Sequence, residues 1–171
     1  MTGAAGLTVT LDGAIATTAA DGTFAIDPPS GTIIHWEVTG PDLITSIMGF
    51  SAARTIPAMK DVDYFGLTSD NGVIPVAGQG DVFVHVVRAG ASVPMVGATS
   101  TPLAEYPTVY DGGAPTTWTQ LGTGAFGMVW IPGLAAGTTT VTLTPQTGTA
   151  KAVPSIPIGD GALTWVSVEL P

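Results

Sequence analysis

The side chains in this sequence that could do chemistry fall in three places. His35 and His85 are the sole histidines. Each is flanked by strand-forming residues, and together they could offer a metal pair. Zinc takes three or four ligands, however, and no His-x-x-x-His or Cys spacing supplies the others. Asp61-Val62-Asp63 and Asp70-Asn71 gather several oxygens in one stretch, a hard-cation pattern that suits Ca²⁺ with Asp61, Asp63 and Asp70 as ligands. Weighed against it is a solvated acidic loop, and the twelve-residue spacing of an EF-hand is missing. The third place runs from Thr101 to Leu121, where Tyr106, Tyr110, Asp111 and Trp118 surround Gly112-Gly113. Aromatic faces on a long loop of this kind stack on sugar rings. The alternative is that Trp118 and one Tyr fold back over the edge of the sandwich.

Covalent catalysis finds little to start from. No Gly-x-Ser-x-Gly occurs, and the chain contains no cysteine, which removes disulfides, thiolate ligands and a cysteine nucleophile together. A Lys-Asn crosslink between strands would have Asn71 as its one asparagine, in an irregular stretch, and the last strand offers it no partner. The sequence therefore reads as no enzyme and as needing no cofactor, with Ca²⁺ the one candidate ion.

Composition says what must position these residues. Charged residues make up 10% of the 171 and apolar ones 45%, enough for a core and against disorder. Thr is abundant, and its branched Cβ suits a pleated surface, so the expected class is all-β. Four cations against thirteen acids give a net charge of −9, which repels phosphate backbones and anionic lipid heads. Nucleic acid is excluded as a partner on that ground. Membrane insertion is excluded because no apolar run approaches the roughly 18 to 20 residues a span requires. The first six residues show no signal peptide. The acidic, Lys-poor, Thr/Gly/Ala-rich composition nevertheless resembles extracellular or cell-surface domains.

The chain repeats itself. Asp21-Gly22-Thr23-Phe24-Ala25-Ile26, Pro28-Pro29 and Ser30-Gly31-Thr32 return as Thr123-Gly124-Ala125-Phe126-Gly127-Met128, Pro132 and Ala136-Gly137-Thr138. Each copy reads as a turn, a strand with apolar residues at alternate positions, a Pro-Gly loop and a Thr-rich strand. Two tandem β-sandwiches follow, at 1–76 and 77–171, the first shorter than a complete sandwich, with one short helix between them in the irregular 51–79 stretch. Leu7 to Leu11, closed by Asp12-Gly13, is the first strand. Ile33 to Thr39 places Ile34, Trp36 and Val38 on its core face, and Leu43 to Phe50 forms a further strand. Asp81 to Arg88 is apolar almost throughout, as a strand buried on both faces would be. In the last strand Val166, Val168 and Leu170 should face inward.

The run Val82 to Val87, the turn Ala89-Gly90-Ala91, Val93-Pro94-Met95-Val96-Gly97-Ala98, Gly124-Ala125-Phe126, Pro132-Gly133-Leu134-Ala135-Ala136-Gly137-Thr138 and Val141-Thr142-Leu143 resembles the carboxypeptidase regulatory-like domains. The resemblance covers 80–171 well and 7–50 more weakly. It implies transthyretin-like (prealbumin-like) Ig-type sandwiches, and members that are non-catalytic appendages or surface modules. Two departures stand out. Thr123-Gly124 replaces the usual Asp-Gly, and the core face of the first copy is slipped by one residue relative to Thr139, Val141 and Leu143, which a β-bulge would repair.

The expected function is thus a structural or adhesive module at the cell surface, self-assembling by strand addition or meeting a surface partner protein. A carbohydrate-binding module using the loop aromatics is the alternative. A metal-dependent or hydrolytic enzyme is the third reading.

Overall fold

The computed structural model describes residues 3–27, 35–49, 55–114 and 117–171. Among the described residues the chain is all-β with one helix. The strands are β1 (Thr8–Leu11), β2 (Ala14–Thr17), β3 (His35–Thr39), β4 (Leu43–Ile44), β5 (Ser46–Gly49) and β6 (Met59–Lys60). After α1 (Asp61–Asp70) come β7 (Gln79–Arg88), β8 (Ala91–Ser92), β9 (Val96–Thr101), β10 (Val109–Asp111), β11 (Trp118–Thr119) and β12 (Met128–Ala135). The last three are β13 (Gly137–Pro145), β14 (Lys151–Ile158) and β15 (Leu163–Glu169).

One sheet runs β11-β10-β12-β7-β15-β5-β3-β1-β2, with β8 added to β7; a second is β14-β13-β9, and β4 pairs with β6. The first hairpin closes as the sequence predicts. Asp12 and Gly13 take φ of 45° and 85°, the positive values a two-residue turn between twisted strands requires. In the second half the two sheets lie face to face. Val82, Val84 and Val86 of β7, Val129 and Ile131 of β12, and Val166 and Val168 of β15 pack on Val141, Leu143 and Ile156. Leu170 joins them, so the inward face expected for the last strand is the observed one.

The continuous apolar run of β7 has the cause expected of it. While its valines fill the sandwich, Phe83 on the opposite face joins Trp130, Leu163, Tyr64 and Val73 in a separate cluster. Trp165 stacks on Phe83 at 4.7 Å and Trp130 at 5.9 Å. A third, smaller cluster of Leu7, Val9 and Val38 belongs to the first half, with Phe24 edge-on to Trp36 at 5.6 Å. The sheet does not pause at 76/77, because β15 lies parallel between β5 and β7.

Several expectations need correction. Leu43 to Gly49 is two strands, β4 and β5, pairing with different partners. Val109 to Asp111 and Trp118–Thr119 within the supposed loop are strands. Phe126 does not point into a core; it is 45% exposed on a turn closed by Gly127 N–H donating to Gly124 O. Ile34 lies outside the described residues, while Trp36 is half-buried and Val38 buried, the face expected for them. In the second copy Thr139, Val141 and Leu143 are buried as expected, and the ladder to β14 shifts register between Thr139 and Val141.

Candidate functional site

Asp111 closes β10 and is 4% exposed. Its Oδ1 accepts N–H groups from Gly113 (3.2 Å) and Phe126 (3.1 Å), and its Oδ2 those of Gly124 (3.0 Å) and Met128 (2.8 Å). In an extended strand the N–H groups of 124, 126 and 128 would point one way about 7 Å apart, too far to meet on one carboxylate. Gathering them folds the segment around Asp111, which is why Phe126 is displaced from the expected strand. A Cβ at Gly124 would collide with this carboxylate, so glycine is required there for space. Asp111 is therefore occupied by backbone and is not presented to a ligand.

Tyr110 is likewise turned inward, 7% exposed. Its hydroxyl accepts Ala98 N–H at 2.9 Å and donates to Ala98 O at 3.3 Å, taking the place of a neighbouring strand at the free edge of β9. Thr123 does the same one step along. Its Oγ1 accepts Val96 N–H (2.9 Å) and donates to Val93 O (2.8 Å), while its own N–H donates to Val96 O (3.1 Å). This is the role that replaces the Asp of the first copy, where Asp21 accepts Thr23 N–H and Oγ1 in a local turn. Those two bonds hold the Asp21 carboxyl below its ordinary value.

Removing the Tyr110 hydroxyl strands a buried N–H and C=O together, so Tyr110→Phe lowers unfolding free energy by about 1–3 kcal/mol. Tyr106→Phe, whose exposed hydroxyl donates to Ile74 O at 3.1 Å, shifts it by less than about 0.5 kcal/mol. Urea melts of the pair measure the contrast, and equal effects would refute the edge-capping role.

The remaining two loop residues do come together. Tyr106 and Trp118, both half-buried, line a groove with Asp70, Asn71 and Gln120. Trp118 also meets Phe83 and Trp130 edge-on at 5.9 and 6.1 Å, so it covers the aromatic cluster as well as facing the groove.

The acids assigned to Ca²⁺ are dispersed. Asp61 and Asp63 occupy the first turn of α1, where a negative charge complements the helix dipole, and Asp61 Oδ1 accepts Val62 N–H at 2.6 Å. Asp70 is at the other end, about 14 Å along the axis. Among the described residues no group of three or more His, Cys, Asp or Glu could hold a metal ion. His35 on β3 and His85 on β7 are separated by β5 and β15, about 14 Å across the sheet, and do not form a pair. His85 Nε2 lies 3.1 Å from Ser92 Oγ. Asn71 donates from Nδ2 to Leu67 O, closing the helix.

Sequence reasoning missed Asp81. It is 3% exposed at the start of β7, and Oδ2 accepts Trp130 Nε1–H at 2.9 Å and Tyr64 Oη–H at 3.2 Å. Its Oδ1 accepts Gly133 N–H at 2.9 Å. Pro132 and Gly133 form the bulge in the β12 ladder, with Gly133 at φ 74°, and that bulge turns the N–H toward Asp81. Desolvation pushes the Asp81 carboxyl above its ordinary value, outweighing the three hydrogen bonds that favour the anion. The same burial, with the Asp81 charge beside it, raises the Tyr64 hydroxyl. Asp81 floors a cavity of about 210 Å³ whose walls include Phe65, Ile74, Val76 and Tyr106. A lone acid heading an apolar strand was the available signal, since a buried carboxylate must find donors.

No protein-family model matches the chain, and no curated protein does. Among solved structures, the chain is similar to GBS52, the minor pilin of the Gram-positive pathogen Streptococcus agalactiae. The two share 14% identity over 99% of this chain and 85% of that one, with a TM-score of 0.32. A superposition that loose says nothing of a shared role. Among the described residues no helix is long and apolar enough to cross a membrane.

Proposed function

We propose that the chain is a non-catalytic structural or adhesive module of the cell surface or extracellular space, in which sandwich scaffolds hold loops rigidly for contact with protein. The observation that carries this reading is the use made of Asp111. A carboxylate of the kind an active site would present is committed to four backbone N–H groups. Asp81, Tyr110 and Thr123 are spent in the same way, on fixing edges and bulges. Residues 77–171 are a carboxypeptidase regulatory-like sandwich in this reading, and 1–76 a smaller unit built onto its sheet. The division at 76/77 is supported by the buried members of the main core all lying within 82–170.

Self-assembly by strand addition is the mode of contact we favour. The free edge of β9 is occupied by Tyr110 and Thr123, and β14 carries Pro154 and Pro157, which cannot donate to another ladder. By contrast β2 pairs only with β1 among the described residues and turns Ile15 outward, 68% exposed. Sedimentation velocity and electron microscopy of the full chain should show species that grow with concentration and are suppressed by Ile15→Lys. The 77–171 fragment should melt cooperatively by itself. A monodisperse monomer at high concentration counts against assembly, an unfolded fragment against the division, and hydrolytic activity lost on His35 or His85 replacement against the non-catalytic reading.

A further inference from the structure

We propose that the groove between the end of α1 and the β10–β11 hairpin is a subsite for one ring of a neutral oligosaccharide. The inference goes beyond the structural reading and does not depend on self-assembly. The groove measures about 250 Å³ and is lined by Asp70, Asn71, Tyr106, Trp118, Thr119 and Gln120. A pyranose ring presents an apolar C–H face and a rim of hydroxyls, and recognising it takes a fixed aromatic surface beside planar polar side chains. Both are present. Trp118 is held from behind by Phe83 and Trp130, so its ring is positioned before any ligand arrives and loses little freedom on binding.

The polar set comes from two other elements. Asn71 has committed its Nδ2 to Leu67 O at 2.9 Å, which fixes the amide and leaves its carbonyl oxygen to accept a hydroxyl. Asp70 and Gln120 are exposed at the rim and free to adjust. Charge selects the class of sugar. Among the described residues Asp70 is the one acidic side chain lining the groove, and the whole chain carries −9, so uronic and sialic acids are repelled and neutral rings are not. Size selects the mode. The volume is below the roughly 300–1,000 Å³ of pockets that enclose a small molecule, so it suits one unit of a chain lying along a trough. Tyr106 and Val73 border both this groove and the neighbouring 210 Å³ cavity, which gives that chain a path onward.

The test uses the full chain, titrated separately with cellohexaose, maltohexaose, chitohexaose and mannohexaose and followed by tryptophan fluorescence and calorimetry. At least one should saturate with a Kd of about 1 mM or tighter. Gln120→Ala, at an exposed position, should leave the melting temperature unchanged and weaken that binding about 3- to 10-fold. Trp118→Ala should abolish it by calorimetry. No saturation by any of the four sugars overturns the proposal. So does binding indifferent to both substitutions, or a Lys-rich hexapeptide that saturates Trp118 fluorescence when the sugars do not.

Discussion

Asp111→Ala should lower the free energy of unfolding by about 3–5 kcal/mol, the upper end for a single substitution. Four N–H groups from Gly113, Gly124, Phe126 and Met128 lose their acceptor at once. The turn they form has no ladder to return to, because its conformation was set by convergence on the carboxylate. Asparagine should rescue little. Each carboxylate oxygen accepts two N–H groups, so either orientation of the amide points an NH₂ at two donors. Against a typical total of 5–15 kcal/mol, the variant should be marginal at 37 °C. Guanidinium melts of Asp111→Ala and Asp111→Asn provide the check. A loss below about 1 kcal/mol in both would mean that the N–H groups find water without cost, and that the carboxylate is not what organises the loop.

Asp81→Ala should cost a similar amount, about 3–5 kcal/mol, for a different reason. The indole N–H of Trp130 would be left inside an aromatic cluster and the N–H of Gly133 buried at the floor of the cavity, whereas Tyr64 Oη can turn toward that cavity. Here asparagine should rescue much of the loss. Its oxygen can take the Oδ2 position and keep both Trp130 and Tyr64, leaving Gly133 alone unpaired, so Asp81→Asn should recover about half. The pH dependence follows from the raised carboxyl. A group that holds its proton more tightly when folded contributes stability that is present below its unfolded value, near the ordinary 3.8. That contribution is lost as pH rises through the higher folded value. The stability difference between the native chain and Asp81→Asn should therefore narrow as pH is raised through this window. A difference that widens would show that the hydrogen bonds outweigh desolvation.

The parts of the fold legible in the sequence are those whose cause is local. Leu7 to Leu11 with Asp12-Gly13, the buried run of β7 and the inward face of Val166, Val168 and Leu170 follow from alternation and turn chemistry, and each is found. The short helix was legible as a helix but not in its limits. Asp61 and Asp63 read in the sequence as ion ligands or as a solvated acidic loop, and the coil of the backbone between them and Asp70 makes them first-turn acids of a helix instead. What escaped is what depends on distant partners. Nothing near Tyr110 announces Ala98, and nothing near Asp111 announces the three N–H groups beyond residue 123. The four loop residues that read as one ligand site in the sequence part company in the fold. Tyr110 and Asp111 are internal struts, while Tyr106 and Trp118 reach the groove, and only contacts remote in sequence distinguish the pairs. Pro132-Gly133 reads as a loop in the sequence and is instead a bulge inside β12. Its purpose, aiming one N–H at Asp81, required the strand fifty residues earlier.

The strand threaded between β5 and β7 has a bearing on how the molecule is made. Hydrogen bonds on both of its sides join stretches that leave the ribosome long before it does, Ser46 to Met48 on one flank and Asp81 to Val87 on the other. Until Leu163 to Glu169 emerges, those flanks are raw and sticky, with no neighbour to zip against. Such late, distant pairing slows folding and exposes nascent chains to wrong company. The halves can each begin to collapse in order of synthesis, but the keystone arrives last.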